Sequence, residues 1–124
     1  MAPRILVVDD DPVIVRLLEV NFRLEGFEVV TALRGEDALA LSREAPPDII
    51  LLDVMMPGMD GYEVCRRLRE VPDLAEVPVL FLSARARDDD RTRGMALGVV
   101  DYVTKPFDPT ELVALVGRHL SGPL

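Results

Sequence analysis

Four short stretches of this sequence carry side chains that could do chemistry together. Asp9, Asp10 and Asp11 directly follow the aliphatic run "ILVV", and Asp53 stands in "LLDVMMPGMDGYE". Ser83 closes "LFLS", and Lys105 precedes Pro106 in "DYVTKPF". Taken singly, each aspartate reads as a turn or cap residue and Lys105 as a solvated lysine. Together they read differently. Carboxylates gathered in one crevice raise each other's pKa unless a cation neutralises them. A hard, oxygen-only set with few protein ligands suits Mg2+, which keeps several waters and shares its coordination sphere with phosphate oxygens.

Whether these residues meet depends on the elements that carry them. Strand-length apolar runs are predicted at Ile5–Val8, Glu28–Ala32, Asp48–Leu52, Val77–Leu82 and Val100–Thr104. Several lack polar alternation, as strands covered on both faces do. Helical periodicity fills the gaps. In the first helix Val13, Leu17, Val20 and Leu24 are expected on the inner face, with Ile14 and Leu18 beside them and Gly26 as the stop. A second helix is predicted over Glu36–Glu44. A third covers Gly61–Glu70, with Val64 and Leu68 one turn apart, and a fourth covers Asp88–Leu97, interrupted by Gly94. Asp108-Pro109-Thr110-Glu111 opens the last helix with an N-cap, Pro at N1 and Glu at N3; Leu112, Leu115, Val116 and Leu120 form its inner stripe.

The order is therefore (βα)5, an α/β fold in which right-handed crossovers place helices on both faces of one parallel sheet. Loops at the carboxyl ends of such strands converge on a crevice at the topological switch point. Asp9 to Asp11, Asp53, Ser83 and Lys105 all follow or close strands at that rim. The second strand offers only Thr31, which fits an edge position away from the crevice.

Composition narrows the function classes. A chain of 124 residues, 49% hydrophobic, reads as one domain over residues 1–124, with 121–124 as a linker stub. A net charge of −8 argues against a nucleic-acid surface, which needs clustered Lys and Arg. The lone Cys65 has no intramolecular disulfide partner, and no apolar run approaches the ~18–20 residues of a membrane span. Together with the lack of a targeting pattern, these features point to the cytoplasm.

The segments "ILVVDDDP", "IILLDVMMPGMDGYEVC", "LFLSA" and "DYVTKPF" resemble, in order and separation, those of the receiver domain of two-component response regulators. The resemblance runs from about Arg4 to Leu120. It implies a flavodoxin-like fold of strand order 2-1-3-4-5 and phosphorylation of Asp53 by a sensor histidine kinase or a histidine phosphotransfer protein. By the same match Asp10 and Asp53 bind Mg2+ directly, Asp9 binds it through water, and the Met55 carbonyl adds a ligand. Lys105, aimed inward by a cis peptide before Pro106, and Ser83 are the catalytic partners of the phosphoryl group. Ser83 and Tyr102 form the switch: the aromatic turns inward as the hydroxyl moves toward the phosphate, which changes the surface of the fourth helix, fifth strand and last helix.

DNA-binding relatives dimerise through that surface, so a phosphorylation-dependent homodimer is among the expected partners, beside a downstream protein target or an output domain. The charge pairs of such dimers are not carried over. Val100 stands at an acidic position of those relatives, and Arg118 is nearly the only cation of the last helix.

The remaining candidates have plainer readings. Asp11 and Asp60 are expected as N-caps, while Pro57 and Gly58 shape the loop around Asp53 and Gly61 helps the next helix begin. Phe107, Cys65 and the five methionines are expected as packing residues, and His119 as a favourable contact with its helix dipole. Met55 and Arg85, near the site, are expected to tune the lifetime of the phosphoryl group. Two other functions stay open. One is an interaction module of the same fold working without phosphorylation, against which the intact set of five residues weighs. The other is a phosphatase, which would want an acidic residue where Met55 stands.

Overall fold

The apolar runs pair into one sheet with helices on both sides. The computed structural model describes residues 2–84 and 88–121. The elements are β1 (Arg4–Val8), α1 (Pro12–Leu24), β2 (Glu28–Ala32), α2 (Gly35–Glu44), β3 (Ile49–Asp53), α3 (Gly61–Arg69), β4 (Val79–Ser83), α4 (Asp88–Ala96), β5 (Asp101–Thr104) and α5 (Pro109–Ser121). A 3-10 turn at Pro72–Leu74, absent from the sequence reading, leads into β4. All four pairings are parallel, in the order β2-β1-β3-β4-β5. This is the flavodoxin-like arrangement expected, with β2 at an edge. The boundaries of β3 and β4 lie slightly later than predicted, so Asp53 and Ser83 are the last residues of their strands.

Side-chain alternation divides the core in two. Leu6, Val8, Ile50, Leu52, Val79 and Phe81 face a cluster that holds Ala38 and Leu39 of α2 and Val64, Cys65 and Leu68 of α3. Ile5, Val7, Ile49, Leu51, Leu80 and Leu82 face the other, with Leu18 and Phe22 of α1 and Leu112 and Val116 of α5. Leu115, Leu120 and Phe107 pack partly buried against that second cluster, so the α5 stripe and Phe107 sit as expected.

The inner face of α1 is not the predicted one. Val15, Leu18 and Phe22 are buried, whereas Val13 and Leu24 are 74% and 78% exposed and Leu17 and Val20 lie outward with them. The helix is apolar nearly all round, so periodicity alone offers two stripes. The bulk of Phe22, held edge-on to Phe27 at 5.0 Å, selects the inner one. Two of the methionines also depart from their predicted packing role, because Met55 and Met95 are exposed.

The caps are local. Asp11 accepts a hydrogen bond from Val13 N at 2.9 Å, Asp60 from Glu63 N at 2.9 Å, and Asp108 from Thr110 N at 2.8 Å. Gly26, beyond the end of α1, takes φ +90°, a conformation that L side chains rarely adopt. Arg69, the last residue of α3, ties together the loops before β4 and after α4. Its guanidinium donates to the carbonyls of Val77 at 2.7 Å, Leu97 at 3.1 Å and Gly98 at 3.2 Å. Arg85 and the stub residues Gly122 to Leu124 lie outside the described residues.

The two faces of α1 give a direct check. Leu18→Ala is expected to cost about 2–5 kcal/mol, as truncation of a fully buried leucine does. Leu17→Ala should stay within about 0.5–1 kcal/mol. Urea unfolding of both variants measures the contrast, and equal losses would contradict the assignment.

Candidate functional site

The crevice is built by backbone before any side chain enters it. Asp9, one residue beyond β1, is held to β2 by its N–H on the Ala32 carbonyl at 3.2 Å. After β3, the Val54 N–H donates to the Leu82 carbonyl at 3.0 Å, and the Gly61 N–H donates back to the Val54 carbonyl at 2.9 Å. That return brings α3 against the strand end. A Cβ on Gly61 would lie 2.6 Å from the Asp53 carbonyl oxygen, so the loop from Asp53 to α3 closes only on glycine. Gly58, at φ +78°, makes the turn within it. At the end of β5 the Lys105 N–H donates to the Ser83 carbonyl at 2.7 Å, and the Lys105–Pro106 peptide is cis.

The side chains then converge. Lys105 Nζ lies 2.7 Å from Asp9 Oδ2 and 3.4 Å from Asp53 Oδ1. The other Asp9 oxygen accepts the Asp11 N–H at 2.9 Å, and Asp53 Oδ1 accepts the Met55 N–H at 3.3 Å. Asp9 and Asp53 are buried and Asp10 is exposed; each offers an oxygen within 4.8 Å of the others. Asp11 faces away, engaged as the α1 cap. Ser83 is buried at the end of the adjacent strand. Met55 stands exposed beside the cluster. Tyr102 is half-buried and edge-on to Phe81 at 6.0 Å. His119 is more than a dipole partner, since its Nε2 lies 3.0 Å from Asp101 Oδ2, tying α5 to β5.

The electrostatics follow from this packing. Burial pushes the Asp53 carboxyl up to about 7; the Asp9 charge and a hydrogen bond with Asp10 push the same way, while Lys105 and the Met55 N–H pull only partly back. Burial works against the Lys105 charge, but the hydrogen bond and charge of Asp9, helped by Asp53, outweigh it and hold its pKa above the ordinary value. A single ammonium thus neutralises one of three converging carboxylates and grazes a second. The donor set fits a small hard dication: oxygen atoms only, three carboxylates within reach of one ion, one of them open to solvent.

The chain belongs to the response regulator receiver domain family, whose profile matches residues 5–117. These are signalling modules rather than classical enzymes, and the family binds Mg2+ at an acidic pocket. Over 120 residues the chain is 47% identical to the phosphate regulon transcriptional regulatory protein PhoB of Rhizobium meliloti (strain 1021), covering 97% of this chain and 53% of that one. It therefore spans about half the length of that curated relative. Among solved structures, chemotaxis protein CheY4 of Vibrio cholerae matches with TM-score 0.92 and 31% identity, over 95% of this chain and 98% of that one. The response regulator DrrB, a Thermotoga maritima OmpR/PhoB homolog, matches with TM-score 0.86 and 38% identity, over 98% and 54%. Among the described residues, no helix is long and apolar enough to cross a membrane.

The crowding has a thermodynamic signature. Between the ordinary carboxylate value of 3.8 and about 7, the folded chain keeps a proton on Asp53 that the unfolded chain has lost. Metal-free stability therefore falls as pH rises through that window and stays lower above it. Asp53→Asn removes the effect. The variant should be about 4 kcal/mol more stable than the parent at pH 8 and close to it at pH 4. Thermal unfolding in chelator across this range measures the difference, and a gap independent of pH would count against the crowded carboxylate.

Proposed function

We propose that the chain is a phosphoacceptor that takes a phosphoryl group onto Asp53 from a phosphohistidine of a sensor histidine kinase or a histidine phosphotransfer protein. The observation that carries this reading is the Asp9–Asp10–Asp53 cluster with Lys105 Nζ at 2.7 Å from Asp9 and 3.4 Å from Asp53. An Asp53 carboxylate oxygen attacks phosphorus in line. The new O–P bond forms as the donor's N–P bond breaks, and the imidazole nitrogen leaves with the electron pair and takes a proton from solvent. Hydrolysis reverses the modification: water attacks phosphorus, inorganic phosphate leaves, and the carboxylate returns. Asp10, Asp53 and the Met55 carbonyl, with Asp9 through water, are the residues that would hold Mg2+, which supplies charge neutralisation for the phosphoryl oxygens.

Lys105 is already desolvated and held by Asp9, so its ammonium can shift toward a phosphoryl oxygen with little reorganisation. Ser83, buried at the rim, is the hydroxyl that would hydrogen-bond that group, and Tyr102 is the ring that follows it. The signal would leave through the α4–β5–α5 face, toward a downstream protein or an output domain. The name of the Rhizobium relative points to transcriptional control as the output. The net charge of −8 argues against a nucleic-acid contact on this domain itself. A cytoplasmic site of action follows from the kinase partner.

The experiment is intact-mass analysis after incubation with Mg2+ and acetyl phosphate. One added phosphoryl group is expected on the parent and none on Asp53→Asn. Lys105→Ala should take up the group at least about 10-fold more slowly, as loss of a charge-stabilising contact does. Uptake that survives Asp53→Asn, or no uptake by the parent, would overturn the assignment; the latter result would favour an interaction module that works without phosphorylation.

A further inference from the structure

A line of rings runs from β5 to α4. Tyr102 meets Phe81 of β4 edge-on, with centroids 6.0 Å apart and planes at 89°. Phe81 meets Tyr62 of α3 in the same manner, at 5.3 Å and 82°. The Arg93 guanidinium of α4 closes the line, its Cζ 3.9 Å from the centroid of the Tyr62 ring. Both contact types are favourable at these separations.

The line has little slack. Phe81 is fully buried, and a Cβ on Gly94 would lie only 3.2 Å from its ring, so α4 rests directly on Phe81. Gly94, which interrupts the helical pattern of α4, faces that ring, where an added Cβ would be a tight contact. Phe81 also precedes Ser83 by two residues and so faces the same side of β4. Tyr62 follows Gly61, the residue closed against the Asp53 carbonyl. The Arg69 guanidinium pins the chain just beyond α4 through Leu97 and Gly98. Arg93 is a further hold on that helix.

We infer that Arg93 is a positioning residue: its stacking on Tyr62 fixes α4 in the resting arrangement and, through Phe81, joins the Asp53 loop and Tyr102 in one transition. The inference rests on the phosphoacceptor reading and extends it to two residues outside the crevice. The stacking accompanies the arrangement in which Lys105 Nζ lies 2.7 Å from Asp9, so it weights the equilibrium toward that arrangement, out of which a phosphoryl group would draw the ammonium. A ligand that favours the other arrangement must work against it. Removing an exposed cation–π contact shifts such an equilibrium by about 2–5-fold.

Tyr62 and Tyr102 are the only tyrosines in the chain, so 3-fluorotyrosine labelling gives two 19F resonances, which Tyr62→Phe assigns. Beryllofluoride with Mg2+, a stable mimic of an aspartyl phosphate, is titrated into the parent, Arg93→Gln and Arg93→Lys. Both resonances of the parent should move with one midpoint. In Arg93→Gln the midpoint should fall about 2–5-fold, and Arg93→Lys, which keeps the cation, should restore it. A Tyr62 resonance that stays still while Tyr102 moves would overturn the inference and leave the phosphoacceptor reading standing. A midpoint unchanged or raised in Arg93→Gln would do the same. If neither resonance moves and acetyl phosphate adds no mass, the phosphoacceptor reading has failed and this inference with it.

Discussion

Three carboxylates brought to one rim, with a single ammonium to hold them, set the terms for the rest of the structure. Asp9 takes most of Lys105, at 2.7 Å against 3.4 Å for Asp53. Asp53 is left buried and under-neutralised, and its pKa rises to about 7. Such an arrangement costs stability in the resting chain. It makes sense as a site prepared for added positive charge and for a group whose own negative charge must be neutralised by partners already in place.

The scaffold tolerates this cost because the crevice is fixed from the backbone. Parallel pairing in the order β2-β1-β3-β4-β5 brings the ends of β1, β3, β4 and β5 to one rim, and both faces of the sheet are sealed by apolar clusters. Val54, Gly61 and Lys105 then lock neighbouring strand ends by main-chain hydrogen bonds. Lys105 thus bonds Ser83 through its backbone and Asp9 through its side chain. One residue spans the acidic cluster and the strand end that carries the hydroxyl. The aromatic line from Tyr102 through Phe81 to Tyr62 begins next to that point.

Much of this was legible in the sequence. Unbroken Val/Ile/Leu runs marked strands covered on both sides, and capping chemistry at Asp11, Asp60 and Asp108 marked three helix starts to the residue. The gathering of the acidic residues and Lys105 at one rim followed from the parallel (βα)5 pattern, while the strand order came from the family resemblance. Other features were hidden because they depend on tertiary packing. The inner face of α1 was misread because apolar residues surround that helix, and only the fit of Phe22 against the sheet and Phe27 separates the stripes. Gly61 and Gly94 looked like a helix start and an interruption, and close approach to the Asp53 carbonyl and to the Phe81 ring explains them. Arg69 and Arg93 stand in helices where no motif marks a role for either. Nothing local says that one reaches loop carbonyls and the other a ring.

The central claim is that Asp53 is a crowded carboxyl whose charge awaits a cation. Direct titration of the 13C-labelled aspartate carboxyls by NMR, assigned with Asp53→Asn, tests it without reference to any partner. Without metal, Asp53 is expected to titrate with a midpoint of about 7, and saturating Mg2+ should move that midpoint well down. A metal-free midpoint at the ordinary 3.8, unmoved by Mg2+, would contradict the account.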